Sequence, residues 1–362
     1  MKVIAFYGND ITKLAGTERA MFSVANGLAE IENYKIIIIS TKGDRSDVKY
    51  ELNEKIQIVC LNIGNNRKEL FKLIKSLRRV VMENKVDVLV SVEVMSILFT
   101  LPALKLIKKN VKLVVWEHFN YTVTLGLKIR NYCRKLSSKF ADSIVVLTQR
   151  DVELWENNLK IKNQITAINN PSPYRATDKP YNTTSKNIVA IGRLTYQKGF
   201  DRLLDVWAKF LKDNHNHRSW NLQIIGSGPD KEALMNQASS LNLTNHVEWI
   251  ENTPNIKDFY NGASFLAMTS RFEGLPMTLI EAQAFRLPII AYDCITGPGE
   301  VITKNSGILI PDGNDESFII GLKTMIENDA LRNSMSNSSL DEYKRFLPEV
   351  IVKKWDMLFS NL

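Results

Sequence analysis

Thirteen short apolar runs, separated for the most part by segments of helical periodicity, recur along the whole chain. Runs such as KIIIIS at 35–40 place apolar residues at consecutive positions, so both faces of the extended segment must be buried. A parallel sheet covered on both sides by crossover helices provides that environment, whereas an antiparallel sheet with one wet face would show strict alternation. In the first half the predicted strands are Lys2 to Tyr7, Lys35 to Ser40, Gln57 to Leu61, Val86 to Ser91, Val111 to Trp116, Ser143 to Leu147 and Ile165 to Ile168. In the second they are Asn187 to Ile191, Asn221 to Ile225, Val247 to Trp249, Ser264 to Met268, Ile289 to Tyr292 and Gly307 to Ile310.

The stretch from Asn169 to Asn187 interrupts the alternation with three prolines and several Ser, Thr and Asn residues. It reads as a linker at 171–186 between an α/β domain at 1–170 and a similar one at 187–348. A first helix is predicted over Thr17 to Ile31 with Thr17 as its N-cap. The tail at 349–362 reads as an amphipathic helix with Val350, Val352, Trp355, Met357 and Leu358 available for packing. No fixed short period appears, which argues against solenoids and propellers. Ligands of such sheets bind beyond the carboxyl ends of the strands, so function is expected in the strand-end loops, across a cleft between two domains.

Composition narrows the class. A chain of 362 residues with 44% hydrophobic content can build substantial cores. Cys60, Cys133 and Cys294 lie far apart without metal-ligand spacing, so neither a disulfide framework nor a zinc site is expected. The start MKVIAFYGND lacks the features of a secretory signal, and the apolar stretch from Val88 to Leu104 carries Glu93 and Pro102 and is too short and too polar to span a bilayer. The expectation is a cytoplasmic protein. The net charge of +8 is uneven: residues 1–170 carry +10 and residues 171–362 carry −2. Between Arg67 and Lys139 there are 16 cations against 5 acids, interleaved with apolar residues. An anionic membrane surface fits this pattern better than nucleic acid, since no zinc finger or aromatic RNA-binding motif accompanies it.

Five strand-end loops carry candidate chemistry. In GNDITKLAGTERA the residues Ala15, Gly16 and Thr17 open a helix whose free amides and dipole can meet a phosphate, although an ordinary turn also uses Gly there. VVWEHFN places Glu117, His118 and Asn120 just past a strand, where His118 can bond a substrate hydroxyl or a backbone carbonyl. IGRLTYQKG sets Arg193 and Lys198 at the mouth of a strand, two cations suited to a diphosphate. LQIIGSGPD places Gly226 and Gly228 where close backbone approach is possible. SRFEGLPMTLIEA holds Glu273 ahead of a helix that opens near Pro276 and carries Glu281, so both carboxylates can face one ligand with free amides between them.

Taken in order, AGTE, the strand-end histidine, GRLTYQKG, GSGP and EGLPMTLIE resemble the large retaining glycosyltransferase family 4 of GT-B fold, which includes bacterial lipopolysaccharide, O-antigen and capsule enzymes. The resemblance spans nearly the entire chain. It implies two Rossmann-like domains facing across a cleft, with the C-terminal helix returning to the N-terminal, acceptor-binding domain. It also implies that Arg193 and Lys198 bind the diphosphate of a UDP-sugar, that Gly16 approaches it from the other domain, and that Gly226 supports the nucleotide. Glu273 would hold hydroxyls of the donor sugar, helped by the backbone at Gly274, Leu275, Pro276 and Met277. Glu281 would hold the ribose, the base would lie near Glu251 to Ile256, and His118 would contact the sugar near the reacting centre. Ala15 departs from the family's frequent first glycine.

DCITGPGE at 293–300 is similar to a subgroup using UDP-GalNAc, UDP-GlcNAc or UDP-Gal in lipid-linked oligosaccharide assembly. The acceptor implied is a polyprenyl-diphosphate-linked saccharide at the inner face of the cytoplasmic membrane. No Asp-x-Asp occurs in the chain, so a hexose or N-acetylhexosamine would be transferred without a metal or other cofactor, cations and helix amides stabilising the departing UDP. Two other readings stay open from the residues alone: a UDP-sugar 2-epimerase of the same architecture, and a basic nucleic-acid-binding protein.

Overall fold

The computed structural model describes residues 1–13, 15–64, 69–105, 107 and 109–362; Arg67, Lys68 and Lys108 of the basic stretch lie outside them. The chain divides into two compact units, Met1–Pro173 with Phe346–Leu362, and Tyr174–Arg345. The first contains β1 (Lys2–Gly8), α1 (Gly16–Ala29), β2 (Tyr34–Ser40), β3 (Gln57–Cys60), α2 (Leu70–Glu83), β4 (Val88–Val92), α3 (Ile97–Leu104), β5 (Lys112–Trp116), α4 (Ile129–Phe140), β6 (Ser143–Val146), α5 (Gln149–Asn158) and β7 (Gln164–Ala167). The second contains β8 (Asn187–Ile191), α6 (Phe200–Asp213), β9 (Asn221–Ile225), α7 (Lys231–Ser240), β10 (Val247–Ile250), α8 (Ile256–Gly262), β11 (Phe265–Met268), α9 (Met277–Ala284), β12 (Ile289–Asp293), α10 (Pro298–Val301), β13 (Gly307–Pro311), α11 (Asp315–Glu327) and α12 (Asp329–Tyr343). The last helix, α13 (Pro348–Ser360), belongs to the first unit.

Both sheets are parallel throughout the described pairings. Their orders are β3-β2-β1-β4-β5-β6-β7 and β10-β9-β8-β11-β12-β13. Each therefore reverses its winding direction once, between β1 and β4 and between β8 and β11, and these switch points are where doubly wound sheets open a ligand crevice. All thirteen predicted strands are present. β4 is buried along its full length, and the aliphatic run of β2 from Ile36 to Ile39 is buried as well. Helix α6 shows the same logic at helical spacing, with Phe200, Leu203, Leu204, Trp207, Phe210 and Leu211 buried on one face.

The start of the first helix, the helix carrying Glu281 and the linker are where the structure sharpens the sequence reading. Helix α1 starts at Gly16 rather than Thr17, with Ala15 in extended backbone as an N-cap that offers no side-chain bond. Pro276 stands before α9 as its N-cap, so the helix opens one residue after it. The segment read as a linker at 171–186 is not free: from Tyr174 onward it lies on the second unit, where the Thr177 amide donates to Ala284 O at 2.8 Å and Ser185 Oγ donates to Gly262 O at 2.6 Å.

Helix α13 packs on α1 so closely that a Cβ at Gly27 would stand 2.3 Å from Val352 Cγ2. Trp355 is fully buried among Phe6, Trp116 and Phe359, with ring centroids 6.3, 4.7 and 5.4 Å away. Val352 and Leu358 are buried as expected, whereas Met357 points outward and is 66% exposed.

Helix α4 is inverted in polarity. Its buried face carries Arg130, Cys133, Arg134, Ser137 and Ser138, while Ile129, Tyr132 and Phe140 are exposed. The turn before it also exposes Leu125 and Leu127. Lys128, Lys135 and Lys139 stand among these apolar side chains on the outer surface. Among the described residues no helix is long and apolar enough to cross a membrane.

Candidate active site

In the second unit the loops after β8 and β11, which flank the switch point, meet through their functional side chains. Lys198 closes a 3₁₀ turn at Tyr196–Lys198, and its Nζ lies 2.7 Å from Glu273 Oε1. The pair is largely out of water, with the carboxylate 6% and the ammonium 19% exposed. A backbone and side-chain lattice fixes the two loops. The Arg271 amide donates to Gln197 O at 2.8 Å, and Gln197 Nε2 donates to Phe272 O at 3.0 Å. Arg271 then returns to the first loop, binding both oxygens of Asp201 at 2.7 and 2.5 Å and stacking 4.0 Å from the Tyr196 ring centroid. The guanidinium holds the Asp201 carboxyl below its ordinary range, as a bidentate pair should.

Glu273 is also held from behind. Thr296, in the loop after β12, donates its hydroxyl to Glu273 O at 2.6 Å. Beside it burial, reinforced by the negative charge of Glu273, pushes the Cys294 thiol up to about 12, so it is an inert packing group. Helix α9 begins at Met277 without a side-chain cap, following Gly274, Leu275 and Pro276. Leu275 is buried. Glu281, buried on α9, takes its own partner from another element: Tyr260 of α8 donates to its Oε2 at 2.7 Å. The two glutamates thus have separate supports, Lys198 for one and Tyr260 for the other. Arg193, upstream in the same β8 loop as Lys198, is exposed, and its side chain makes no bond to the described residues.

The glycines divide by cause. Gly226 has φ +148° and a Cβ there would meet Gly192 O at 2.0 Å, so the fold itself requires it where the β9 turn crosses the β8 turn. A Cβ at Gly16 would meet nothing within 4 Å among the described residues. No packing constraint demands glycine at that position, which leaves room for a ligand over the start of α1.

In the first unit His118 follows β5 and is buried, its ring 4.5 Å from that of Trp116. Burial lowers its pKa to about 3, so the imidazole is neutral near pH 7, and Nε2 is buried without a partner among the described residues. Its backbone is set by Glu117, whose Oε1 accepts from the His118 and Phe119 amides at 3.0 and 3.1 Å. That fully buried carboxylate lies 3.0 Å from Arg130 Nη2 and 3.5 Å from Arg134 Nη2. Burial pushes the Glu117 carboxyl up to about 7 while the two guanidiniums pull it down. The inward-facing arginines of α4 are therefore the reason its polarity is inverted.

Sequence reasoning located Lys198, Glu273, Glu281 and His118 but not the groups that hold them: Arg271 with Asp201, Tyr260, Thr296, and Arg130 with Arg134. Only Arg271 carried a local signal, two residues before Glu273. Among the described residues no group of three or more His, Cys, Asp or Glu side chains is placed to hold a metal ion.

Two doubly wound, parallel α/β units are the layers of the GT-B architecture. Residues 14–172 match the family described as Glycosyltransferase Family 4, and residues 176–341 match Glycosyl transferases group 1. The chain is 34% identical over 358 residues to an uncharacterized glycosyltransferase of Haemophilus influenzae, covering 98% of this chain and 99% of the relative. It is 30% identical over 362 residues to the amylovoran biosynthesis glycosyltransferase AmsD of Erwinia amylovora, covering 97% of each. A Campylobacter jejuni α-1,4-N-acetyl-D-galactosaminyltransferase, named for a GalNAc-containing undecaprenol-diphosphate acceptor, is 24% identical over 96% of this chain and 95% of its own. The solved structure of HepE from Anabaena in complex with UDP superimposes with a TM-score of 0.81 at 15% identity, covering 100% of both chains. This protein belongs to the GT-B glycosyltransferases of family 4.

Proposed function

We propose that the protein is a retaining, metal-independent glycosyltransferase that moves a hexose or N-acetylhexosamine from UDP-GalNAc, UDP-GlcNAc or UDP-Gal to a lipid-linked saccharide in bacterial surface polysaccharide synthesis. The observation that carries this reading is the Lys198–Glu273 pair at the β8/β11 switch point. Lys198 and the exposed Arg193 bind the donor diphosphate, and the uncapped start of α9 offers amides to the same charge. As the glycosidic bond breaks, negative charge grows on the departing phosphate, and fixed cations stabilise that state more than the ground state. Glu273 orients the hydroxyls of the donor sugar and Glu281 receives the ribose; His118 of the first unit offers a neutral imidazole with an unpartnered nitrogen to a sugar hydroxyl. The leaving phosphate assists deprotonation of the acceptor hydroxyl on the same face, which retains the anomeric configuration.

The polyprenyl-diphosphate acceptor is supported by the Campylobacter relative, and the polysaccharide setting by the Erwinia one. Peripheral docking on the inner face of the cytoplasmic membrane is supported by the +10 charge of residues 1–170 and by the outward Leu, Ile, Tyr and Phe side chains set among lysines around α4.

The test is a donor panel with a polyprenyl-diphosphate-linked saccharide, with product configuration read by NMR and chelator present throughout. Transfer from a UDP-sugar with retention supports the reading. Preference for GDP donors, inversion, loss of activity with chelator, or conversion of a UDP-sugar without acceptor overturns it.

A further inference from the structure

Three cations stand on the two loops that flank the β8/β11 switch point, Arg193 and Lys198 after β8 and Arg271 after β11. Arg193 is exposed. Arg271 is only 21% exposed, and its charge is spent inside the protein. Both hydrogens of its Nη1 are committed, one to Tyr196 O at 2.9 Å and one to Asp201 Oδ1 at 2.7 Å, while Nη2 donates to Asp201 Oδ2 at 2.5 Å. The Tyr196 ring covers the guanidinium, its centroid 4.0 Å from Cζ. An arginine that is paired bidentately and stacked on an aromatic ring is a fixed strut, not a free anion ligand.

What the strut holds is the turn that carries Lys198. The β8–β11 ladder pairs Phe265 with Ile188 and Leu266 with Val189, well before either loop, so strand pairing does not fix the loops against each other. The bonds that do so lie on both sides of Lys198. On one side Gln197 O accepts from the Arg271 amide at 2.8 Å, and Gln197 Nε2 donates to Phe272 O at 3.0 Å. On the other, Gly199 O accepts from Thr269 Oγ1 at 2.7 Å. The Arg271 side chain spans the whole turn, from Tyr196 ahead of Lys198 to Asp201 beyond it. Inside the turn the Lys198 and Gly199 amides donate to Thr195 O and Tyr196 O at 2.9 and 3.3 Å. Such 3₁₀ bonds have poorer geometry than those of an α-helix, so a brace from outside decides how firmly the turn is held.

We propose that Arg271 is a positioning residue for the donor diphosphate: through Tyr196 and Asp201 it locks the turn that aims Lys198, and it does not itself touch the ligand. This rests on the transferase reading above. Lys198 is a flexible side chain, and rooting it in a braced turn lowers the ordering cost of meeting a phosphate. The three cations of the two loops therefore have different tasks, two facing the ligand and one holding the loop.

Asp201→Asn separates the two roles open to Arg271 by the sign of its effect. The substitution removes a negative charge and releases the guanidinium, so a ligand-binding Arg271 would then grip UDP more tightly. A bracing Arg271 would lose its hold on the turn, and UDP affinity should fall about tenfold. Arg271→Met and Arg271→Lys are measured alongside by calorimetry with UDP, each alone and combined with Lys198→Ala. Arg271→Met should lower UDP affinity about tenfold by itself but by less than about twofold in the Lys198→Ala protein, where no ammonium remains to be aimed. Arg271→Lys should not rescue, since it keeps the charge without the fork. Hydrogen exchange at the Lys198 and Gly199 amides should quicken in Asp201→Asn and Arg271→Met relative to the core strands. Tighter or unchanged UDP binding in Asp201→Asn, equal losses from Arg271→Met with and without Lys198, full rescue by lysine, or unchanged exchange in the turn would each overturn the proposal. Should Arg271→Met not fold, the sign in Asp201→Asn decides. Absence of UDP binding in the unmodified protein would instead sink the transferase reading, while the exchange rates still report whether Arg271 holds the turn.

Discussion

Glu273→Gln should separate nucleotide affinity from turnover in opposite directions. In the resting site Glu273 neutralises Lys198 at 2.7 Å, so a diphosphate has to compete with a resident carboxylate for that ammonium. Two unit charges at about 4 Å interact by ~4 kcal/mol at an effective dielectric of 20. Lys198 retains 19% of its exposure, so screening by water reduces the part recoverable by a new partner to about 1–2 kcal/mol. Glutamine keeps the shape and a hydrogen bond while removing the charge. UDP should therefore bind roughly 5- to 30-fold more tightly to Glu273→Gln, since ~1.4 kcal/mol is a factor of ten. With the carboxylate in the proposed role of orienting the donor sugar, turnover should fall by at least about two orders of magnitude. Isothermal calorimetry with UDP at low and at about 0.15 M salt reads the first effect, which shrinks as ionic strength rises. Initial rates with the UDP-sugar read the second. UDP binding tenfold weaker in a folded variant would show that Glu273 does not restrain Lys198, and unchanged turnover would remove the carboxylate from the reaction.

Three further outcomes follow from the packing and ionisation described above. Gly27→Ala should destabilise the protein by about 1–3 kcal/mol in denaturant unfolding, because its Cβ would stand 2.3 Å from Val352 Cγ2, and adding Val352→Ala should restore part of the loss. Asp151 is buried, accepts from the Tyr121 amide at 2.7 Å, and has its carboxyl pushed up to about 7 by burial. Its folded pKa lies above the unfolded one, so its stabilising contribution is complete below about pH 4 and is lost as pH rises to about 7; Asp151→Asn should gain on the unmodified protein by up to ~1.4 kcal/mol per pH unit across that window in thermal unfolding series. Replacing exposed Leu127 and Tyr132 by Ser should lower flotation with anionic liposomes severalfold while circular dichroism stays unchanged, and equal flotation would remove the α4 surface from membrane docking.

The strands were legible because a buried parallel strand needs apolar residues at consecutive positions, as in KIIIIS, and few other structures tolerate that pattern. The Pro- and Asn-rich stretch after β7 misled because its attachments are long-range: Tyr181 Oη donates to Ser264 O at 2.5 Å, 83 residues away, and local composition carries no trace of that bond. Thr17 looked like an N-cap, but the extended Ala15 starts the helix earlier, leaving a position that a ligand rather than a side chain can satisfy. The site shows the same division. Lys198 and Glu273 each announced themselves through a strand-end loop, yet their contact joins residues 75 apart and depends on β8 and β11 being neighbours. The arginines around Glu117 were less visible still, since α4 reads as a solvated basic helix until its cations turn inward.

Helix α13 gives the two units different birth orders. Residues 174–345 form a continuous unit and can close as soon as they leave the ribosome. The earlier-made unit must wait for residues 346–362 before Trp355 can cover Trp116, the ring beside which His118 lies. A nascent chain therefore carries its first α/β layer unfinished until translation has passed the second, and His118 acquires its final support only then.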